Sequence, residues 1–427
     1  MKVTPVAALV GHIAVPGDKS ISHRAVLLGA ISDDETIVRG FGRSGDTEST
    51  LSAVRSLSVD VEDVAEDELL VHGVGLRGLQ PPEQPIECGN AGTLLRLLTG
   101  IIAGQRGRFA LTGDESLRSR PMDRVAEPLT RMGAHIETTD GRAPLVVEGS
   151  DALRGIEYRL PVASAQVKSA LLLAGVNAHG TTTVIEPSPT RDHTELMLSA
   201  AGARVHVRPR SISVEPASRM RLAEVVVPGD FSAAAPFLVA ATLLAGSELT
   251  IHDIGLNPRR TGLLDVLERM GARISVFNRR KLGGEWVGDV DARSAELTGT
   301  EIEPGEVPLL VDELPLFALA AAFARGSSRV HGAGELRVKE TDRIETVTDA
   351  LRSLGVRMRA SDDGFEVRGV PSRPRGGAMR SNGDHRVAML GAVAGLVSRE
   401  GVDVGGAEAV AISFPGFFDL LESVSRR

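Results

Sequence analysis

The stretch "VVVPGDFSAAAPFLVAATLLAG", residues 225–246, runs from three valines through Pro228, Gly229 and Asp230 into an apolar run that closes on Gly246. It reads as a short strand, a tight polar turn and a helix stopped by glycine. The helix is apolar on nearly every face, so all of its faces must be buried. Five further segments share this layout: "IAVPGDKSISHRAVLLGA", "IECGNAGTLLRLLTGIIAG", "YRLPVASAQVKSALLLAG", "PLLVDELPLFALAAAFARG" and "RSNGDHRVAMLGAVAGLV". The six turns, at Gly17, Gly89, Val162, Gly229, Val311 and Gly383, lie 67 to 82 residues apart.

A second signature alternates with the first. Helix, glycine and strand follow one another in "LTRMGAHIE", "LSAAGARVHV", "LERMGARISV" and "LRSLGVRMRA", with a degenerate copy in "VRSLSVDVE". Glycine just past the last helical turn fits a left-handed C-cap. The chain is therefore predicted to be an α/β protein of six units, each roughly β-α-β-α-β-β. Solenoids use shorter periods and polar caps at both ends, and neither feature is present. Two globular lobes of three units, with the apolar helices inside, are the expected architecture.

Composition narrows the function. The 427 residues are 42% hydrophobic and carry a formal charge of −8, with no basic tail. A general nucleic-acid binder would show a broad positive surface, and 3% aromatic residues leave few platforms for stacking bases. The single cysteine, Cys88, excludes an internal disulfide framework and a multi-cysteine zinc site. The apolar run near the N-terminus is too short for a signal-peptide core. No apolar stretch reaches the roughly 18 residues of a membrane span. A cytoplasmic protein is expected, with no membrane partner.

If the buried helices of a lobe are aligned, their N-termini gather at one end and attract anions. The turns there supply Lys19, Ser20 and Arg24, then Asn90, Thr93 and Arg96, then Ser164, Gln166 and Lys168. The other three supply Asp230 and Ser232, Asp312 and Glu313, and Asp384, His385 and Arg386. In "ELRVKETDRIETVTDALRSLG", Lys339 and Arg343 are four apart and are expected to share a helix face, with Glu340 between them. The bland reading of that segment is a solvated, salt-bridged turn. Exposed charge is likewise the ordinary reading of Arg118, Arg120 and Arg124 in "TGDESLRSRPMDR". The stretch "GHIAVPGDKS" imitates a phosphate-binding loop, but its glycines are too far apart and Asp18 separates Gly17 from Lys19. The single histidines of "RDHTE" and "GDHR" have no metal-ligand spacing.

Nine segments together resemble the 5-enolpyruvylshikimate-3-phosphate synthases of the enolpyruvyl transferase family: "PGDKSISHRA", "GNAGTLLRLL", "TGDESLRSRPM", "ASAQVKSALLLAG", "PSPTRDHTE", "PGDFSAAAPFLVAA", "RVKETDRI", "DHRVAM" and "SFPGFFDLL". They stand in the family's order along essentially the whole chain. The resemblance implies a two-lobed, inside-out α/β barrel. One lobe would comprise residues 1–15 and 229–427, the other residues 16–228, with the active site in the cleft between them. It also implies a monomeric enzyme of the shikimate pathway, serving aromatic amino acid biosynthesis. Its substrates would be shikimate 3-phosphate and phosphoenolpyruvate, and it would need no metal or other cofactor.

Residue roles follow from the same resemblance. Lys19, Ser20 and Arg24 would contact the shikimate phosphate, with Lys19 also reaching phosphoenolpyruvate. Ser164, Ala165 and Gln166 would line the shikimate side, and Gln166 would touch both substrates. Arg120, Arg343 and Arg386, with Gly92 close by, would clamp phosphoenolpyruvate, since the guanidinium fork suits carboxylate and phosphate. Asp312 would accept the proton of the 5-hydroxyl, Glu340 would handle the proton at C3, and Lys339 would hold the ring hydroxyls. Asn90, Arg191 and His385 complete the set. One departure is Ile412, which stands where a well-known branch of the family has lysine before its Phe-Pro pair. The sister transferase acting on UDP-N-acetylglucosamine is the nearest alternative, but it shows Lys-Asn at the first turn and usually a cysteine in a mobile loop. A non-catalytic anion- or RNA-end-binding protein on the same repeats would explain the cations and leave Asp312 and Glu340 without a purpose.

Overall fold

A computed structural model describes residues 1–426 and divides the chain into two compact units. One comprises Met1–Pro16, Pro228–Arg280 and Trp286–Arg427; the other comprises Gly17–Val227 and Lys281–Glu285. Lys281–Glu285, which the sequence boundaries leave with the terminal unit, lies at the turn between the strands Arg273–Leu282 and Glu285–Arg293.

In the Gly17–Val227 unit three four-stranded sheets share one pattern. Ile86–Glu87 runs parallel to Gly107–Thr112, which pairs antiparallel with Arg142–Gly149, which pairs antiparallel with His135–Thr139. Glu157–Arg159, Thr182–Ile185, Ser211–Val214 and Val205–Arg208 repeat that order. In the third sheet the parallel first strand is Glu224–Val226, beside Glu35–Arg39. The strand Ala8–Ala14, which directly precedes the helix Lys19–Ala30, is used in the other unit. There it runs parallel to Glu248–Gly255, the strand after the helix Phe231–Leu243. In residues 13–30 and 225–246 the strand and the helix that follows it belong to different units. The reason is that the chain crosses at the Pro-Gly-Asp turns. Both incoming strands are short and apolar, so composition does not reveal which sheet receives which.

The terminal unit repeats the pattern in Glu301–Ile302, Gly326–Val330, Gly364–Gly369 and Arg357–Ser361. Its remaining sheets are a five-stranded one around Ala8–Ala14 and a three-stranded one in which Lys2–Val3 pairs with Val402–Gly405. The six apolar helices form the two cores: Lys19–Ala30, Gly92–Ala103 and Ala165–Gly175 in one unit, Phe231–Leu243, Leu314–Phe323 and His385–Val397 in the other. Small residues let them approach closely. A Cβ at Gly100 would lie 2.3 Å from the carbonyl oxygen of Ala170 on the neighbouring helix, so only glycine fits there. The second signature is equally literal. Gly133, Gly202, Gly271 and Gly355 have φ of 107°, 88°, 98° and 92°, and Ser58 in the degenerate copy has φ 67°.

Candidate active site

In the Gly17–Val227 unit, hydrogen bonds draw the helix starts into a polar cluster. Arg96 Nη1 donates to Gln166 Oε1 at 2.7 Å, and Gln166 Nε2 donates to Thr93 Oγ1 at 2.9 Å, joining the second and third core helices. Arg120 Nη2 donates to Asn90 Oδ1 at 2.5 Å and to Ser116 Oγ at 3.1 Å, while Asn90 Nδ2 donates to Asp114 at 2.8 Å. A Cβ on Gly92 would come within 2.8 Å of Arg96 Nη1 and 3.2 Å of Arg120 Nη1, so Asn90, Gly92, Arg96, Arg120 and Gln166 share one locality. Lys19 Nζ is paired with Asp46 at 2.5 Å.

Arg24 is buried and donates to Thr194 Oγ1 at 2.7 Å, Ser20 O at 2.8 Å and Ser169 Oγ at 3.0 Å. Burial lowers its pKa to about 10; Glu195, Asp18 and Glu285 act in the other direction, and the nearby charge of Arg191 adds to the lowering. Ala165 opens its helix, and Ser164 caps it through the amide of Val167 at 3.4 Å. Lys168 is fully buried between Glu195 at 2.7 Å and Glu186 at 3.1 Å, which makes it a structural charge. Of the loop arginines, Arg118 is exposed as its composition suggests, whereas Arg120 turns inward.

The terminal unit gathers its acids around Arg343, which is 2% exposed. Its Nε donates to Asp384 Oδ2 at 2.8 Å and its Nη2 to Asp384 Oδ1 at 3.3 Å, a two-point grip. Nη1 reaches Asp312 Oδ1 at 3.3 Å, and Nη2 also binds Glu340. Burial works against this charge, yet Asp384, Glu340 and Asp312 outweigh it and raise the pKa above the ordinary arginine value. Lys339 lies outside the helix Arg343–Ser353, in extended backbone after the 3-10 turn Gly334–Val338. The expected helical Lys339–Arg343 face is thus not formed, because the helix begins only at Arg343, capped by Asp342. His385 is buried at the start of its helix, and Arg386 Nη1 donates to Ser232 O at 3.4 Å. Ile412 closes the 3-10 helix Ala407–Ile412.

The helix N-termini are less uniformly electropositive than their sequence suggests. Asp18, Asp230 and Asp384 each cap their own helix through a backbone amide, compensating the positive end. Of the six core helices, those beginning at Gly92 and Leu314 start without a side-chain cap. Sequence reading also passed over Arg260, which is buried and bonded to Glu313 at 3.0 Å, to Asp230 at 3.2 Å and to Ser232. Asp46 was missed as well. A signal existed: Asp46, Arg191, Arg260 and Arg343 all stand at or just before the second helix of a repeat, the one ended by the left-handed cap. Cys88 is buried, and burial pushes its thiol well above the ordinary value, so it is no ready nucleophile.

The two clusters differ in chemistry. The Gly17–Val227 cluster is rich in cations and amide donors, suited to binding anions. The terminal cluster sets two partly buried carboxylates, Asp312 and Glu340, on one arginine, suited to moving protons. Among the described residues no helix is long and apolar enough to cross a membrane.

A model of the family described as EPSP synthase (3-phosphoshikimate 1-carboxyvinyltransferase) matches residues 3–421. The 3-phosphoshikimate 1-carboxyvinyltransferase of Alkalilimnicola ehrlichii is 49% identical over 419 residues, covering 98% of this chain and 94% of its own. That of Salinibacter ruber is 49% identical over 421 residues, 98% of either chain. Among solved structures, EPSP synthase from Acinetobacter baumannii superposes with a TM-score of 0.87 at 41% identity, over 99% of this chain and 97% of the other. The enolpyruvyl transferase NikO from Streptomyces tendae, at 20% identity and a TM-score of 0.80 over 99% of this chain and 96% of its own, shares the fold.

Proposed function

The chain belongs to the EPSP synthase family, and from that premise we infer that it transfers the enolpyruvyl group of phosphoenolpyruvate to the 5-hydroxyl of shikimate 3-phosphate, releasing phosphate. This is a step of the shikimate pathway. The oxygen of the 5-hydroxyl bonds to C2 of phosphoenolpyruvate while C3 gains a proton, giving a tetrahedral adduct. Loss of phosphate from C2 and of a proton from C3 then forms the enol ether. Three proton transfers are required, from the hydroxyl, to C3 and from C3, together with two bound anions.

In this reading Asp312 takes the hydroxyl proton and Glu340 delivers and removes the proton at C3. Arg343 holds both carboxylates, and this shared contact is the observation that carries the assignment. Lys339 steadies the ring hydroxyls. Lys19, Ser20, Arg24, Ser164, Ala165, Gln166 and Arg191 receive shikimate 3-phosphate. Asn90, Gly92, Arg120, His385 and Arg386, with Lys19, Gln166 and Arg343, receive phosphoenolpyruvate. The enzyme works as a cytoplasmic monomer without nucleic-acid or membrane partners.

The test is phosphate release from phosphoenolpyruvate with shikimate 3-phosphate as acceptor and UDP-N-acetylglucosamine as control. Release with the first alone is expected; release with the sugar nucleotide, or with neither, overturns the reading. Asp312→Ala should lose turnover by about 100-fold or more while still binding shikimate 3-phosphate. Near-normal turnover in that variant would remove Asp312 from its role.

A further inference from the structure

Away from both clusters, two imidazoles meet on the parallel strands Ala8–Ala14 and Glu248–Gly255. The rings of His12 and His252 are 9° from parallel with centroids 5.4 Å apart, and His12 Nδ1 lies 3.2 Å from His252 Nε2. The strand register sets this approach, since His12 pairs with Thr250 and Ala14 with His252. On its other side His252 Nδ1 lies 3.3 Å from Asp289 Oδ2. A carboxylate accepts, so Nδ1 carries the hydrogen and Nε2 turns its lone pair toward His12. Asp289 is itself fixed: its Oδ1 accepts from the amide of Asp253 at 2.9 Å and its Oδ2 from Asn278 Nδ2 at 2.8 Å. Burial acts to raise its pKa, but the Asp253 amide, Asn278 and His252 prevail and hold it below the usual value.

We propose that His12 and His252 bind an imidazole-preferring divalent transition-metal ion, Cu²⁺ or Zn²⁺, with Asp289 as the carboxylate behind His252. Two nitrogens at about 2.0–2.1 Å from a tetrahedral ion stand about 3.3 Å apart, close to the spacing already present. A metal-bound imidazole commonly donates its second N–H to a carboxylate, and the His252–Asp289 pair has that form. The ion replaces the hydrogen between the rings, which moves to His12 Nε2, and water fills the remaining positions. The site adjoins the crossing segments. Pro16 O accepts from Asp230 N and Asp253 O from Gly229 N, both at 2.8 Å, so a bound ion braces the strands that feed both crossings.

The full-length protein titrated with Cu²⁺ and followed by electron paramagnetic resonance should show one saturable ion with nitrogen coupling from two imidazoles. His12→Gln and His252→Gln should each abolish that signature. His12 is exposed and His252 is 41% exposed, so neither change should lower the melting temperature. Asp289→Asn should raise the Cu²⁺ Kd about tenfold or more. His72→Gln, which disables the separate group of Asp60, Glu62 and His72, should change nothing. No saturable binding, persistence of the signature in His12→Gln, or its loss in His72→Gln would overturn the proposal.

Discussion

Lys168 and His23 show how position, more than residue type, decides what a charged side chain does. Lys168 stands two residues beyond Gln166, within a segment that matches the family, yet it is wholly enclosed with Glu186 and Glu195. Removing one partner of a buried ionic group leaves the other charges uncompensated, at about 3–5 kcal/mol. Lys168→Met should lower the unfolding free energy by about that much in urea titrations; an unchanged midpoint would contradict a structural role. His23 is fully buried, with Nδ1 2.6 Å from Thr50 Oγ1. Burial first, then the charges of Lys19 and Arg24, hold its pKa well below 6.5, so it is neutral in the folded state. Below pH 6.5 the unfolded chain therefore takes up a proton that the folded chain refuses. Its contribution to stability is whole above that pH and declines as the pH falls, by at most about 1.4 kcal/mol per unit, until the folded pKa is reached. His23→Gln should lose this part of the slope between pH 7.5 and 5.5. An identical slope in variant and parent would mean that His23 is not the group.

At the scale of elements, periodicity made most of the structure legible. Apolar runs with no polar face gave the six core helices, and glycines gave the left-handed caps. The degenerate copy shows the reading at its sharpest, because Ser58 adopts φ 67° where its four counterparts are glycine. A left-handed residue with a side chain costs about 1–2 kcal/mol, partly offset by the greater freedom glycine has when unfolded. Ser58→Gly should thus raise stability by about 1 kcal/mol. A drop in the denaturation midpoint would show that the Ser58 side chain contributes more than its backbone strain. What periodicity could not show was the work of the second helix in each repeat. Its apolar stripe identifies the helix, but Asp46, Arg260 and Arg343 at its start look like ordinary surface charge until folding buries them.

At the scale of the whole molecule, the two crossings defeat local reading. Ala8–Ala14 and Glu224–Val226 each precede a Pro-Gly-Asp turn and a core helix, and each pairs in the unit to which that helix does not belong. Pairing over some two hundred residues has no local signature. Electrostatics at this scale sets two effects of opposite sign. A formal charge of −8 repels phosphoenolpyruvate from afar. Screening confines that repulsion to about 8 Å at physiological ionic strength. The proposed binding groups act at contact distance instead. Lys19 is 18% exposed and Arg120 6%, so salt reaches them only in part. Raising the salt therefore relieves a repulsion that is already weak and erodes an attraction that is strong. The KM for phosphoenolpyruvate should rise several-fold between low and about 0.5 M KCl, where the screening length falls below the size of the bound ligand. The change should be steeper in KM than in kcat, because ion pairing governs capture more than the proton transfers at Asp312 and Glu340. A KM that stays flat or falls with salt would show that net charge, and not the local cations, controls binding.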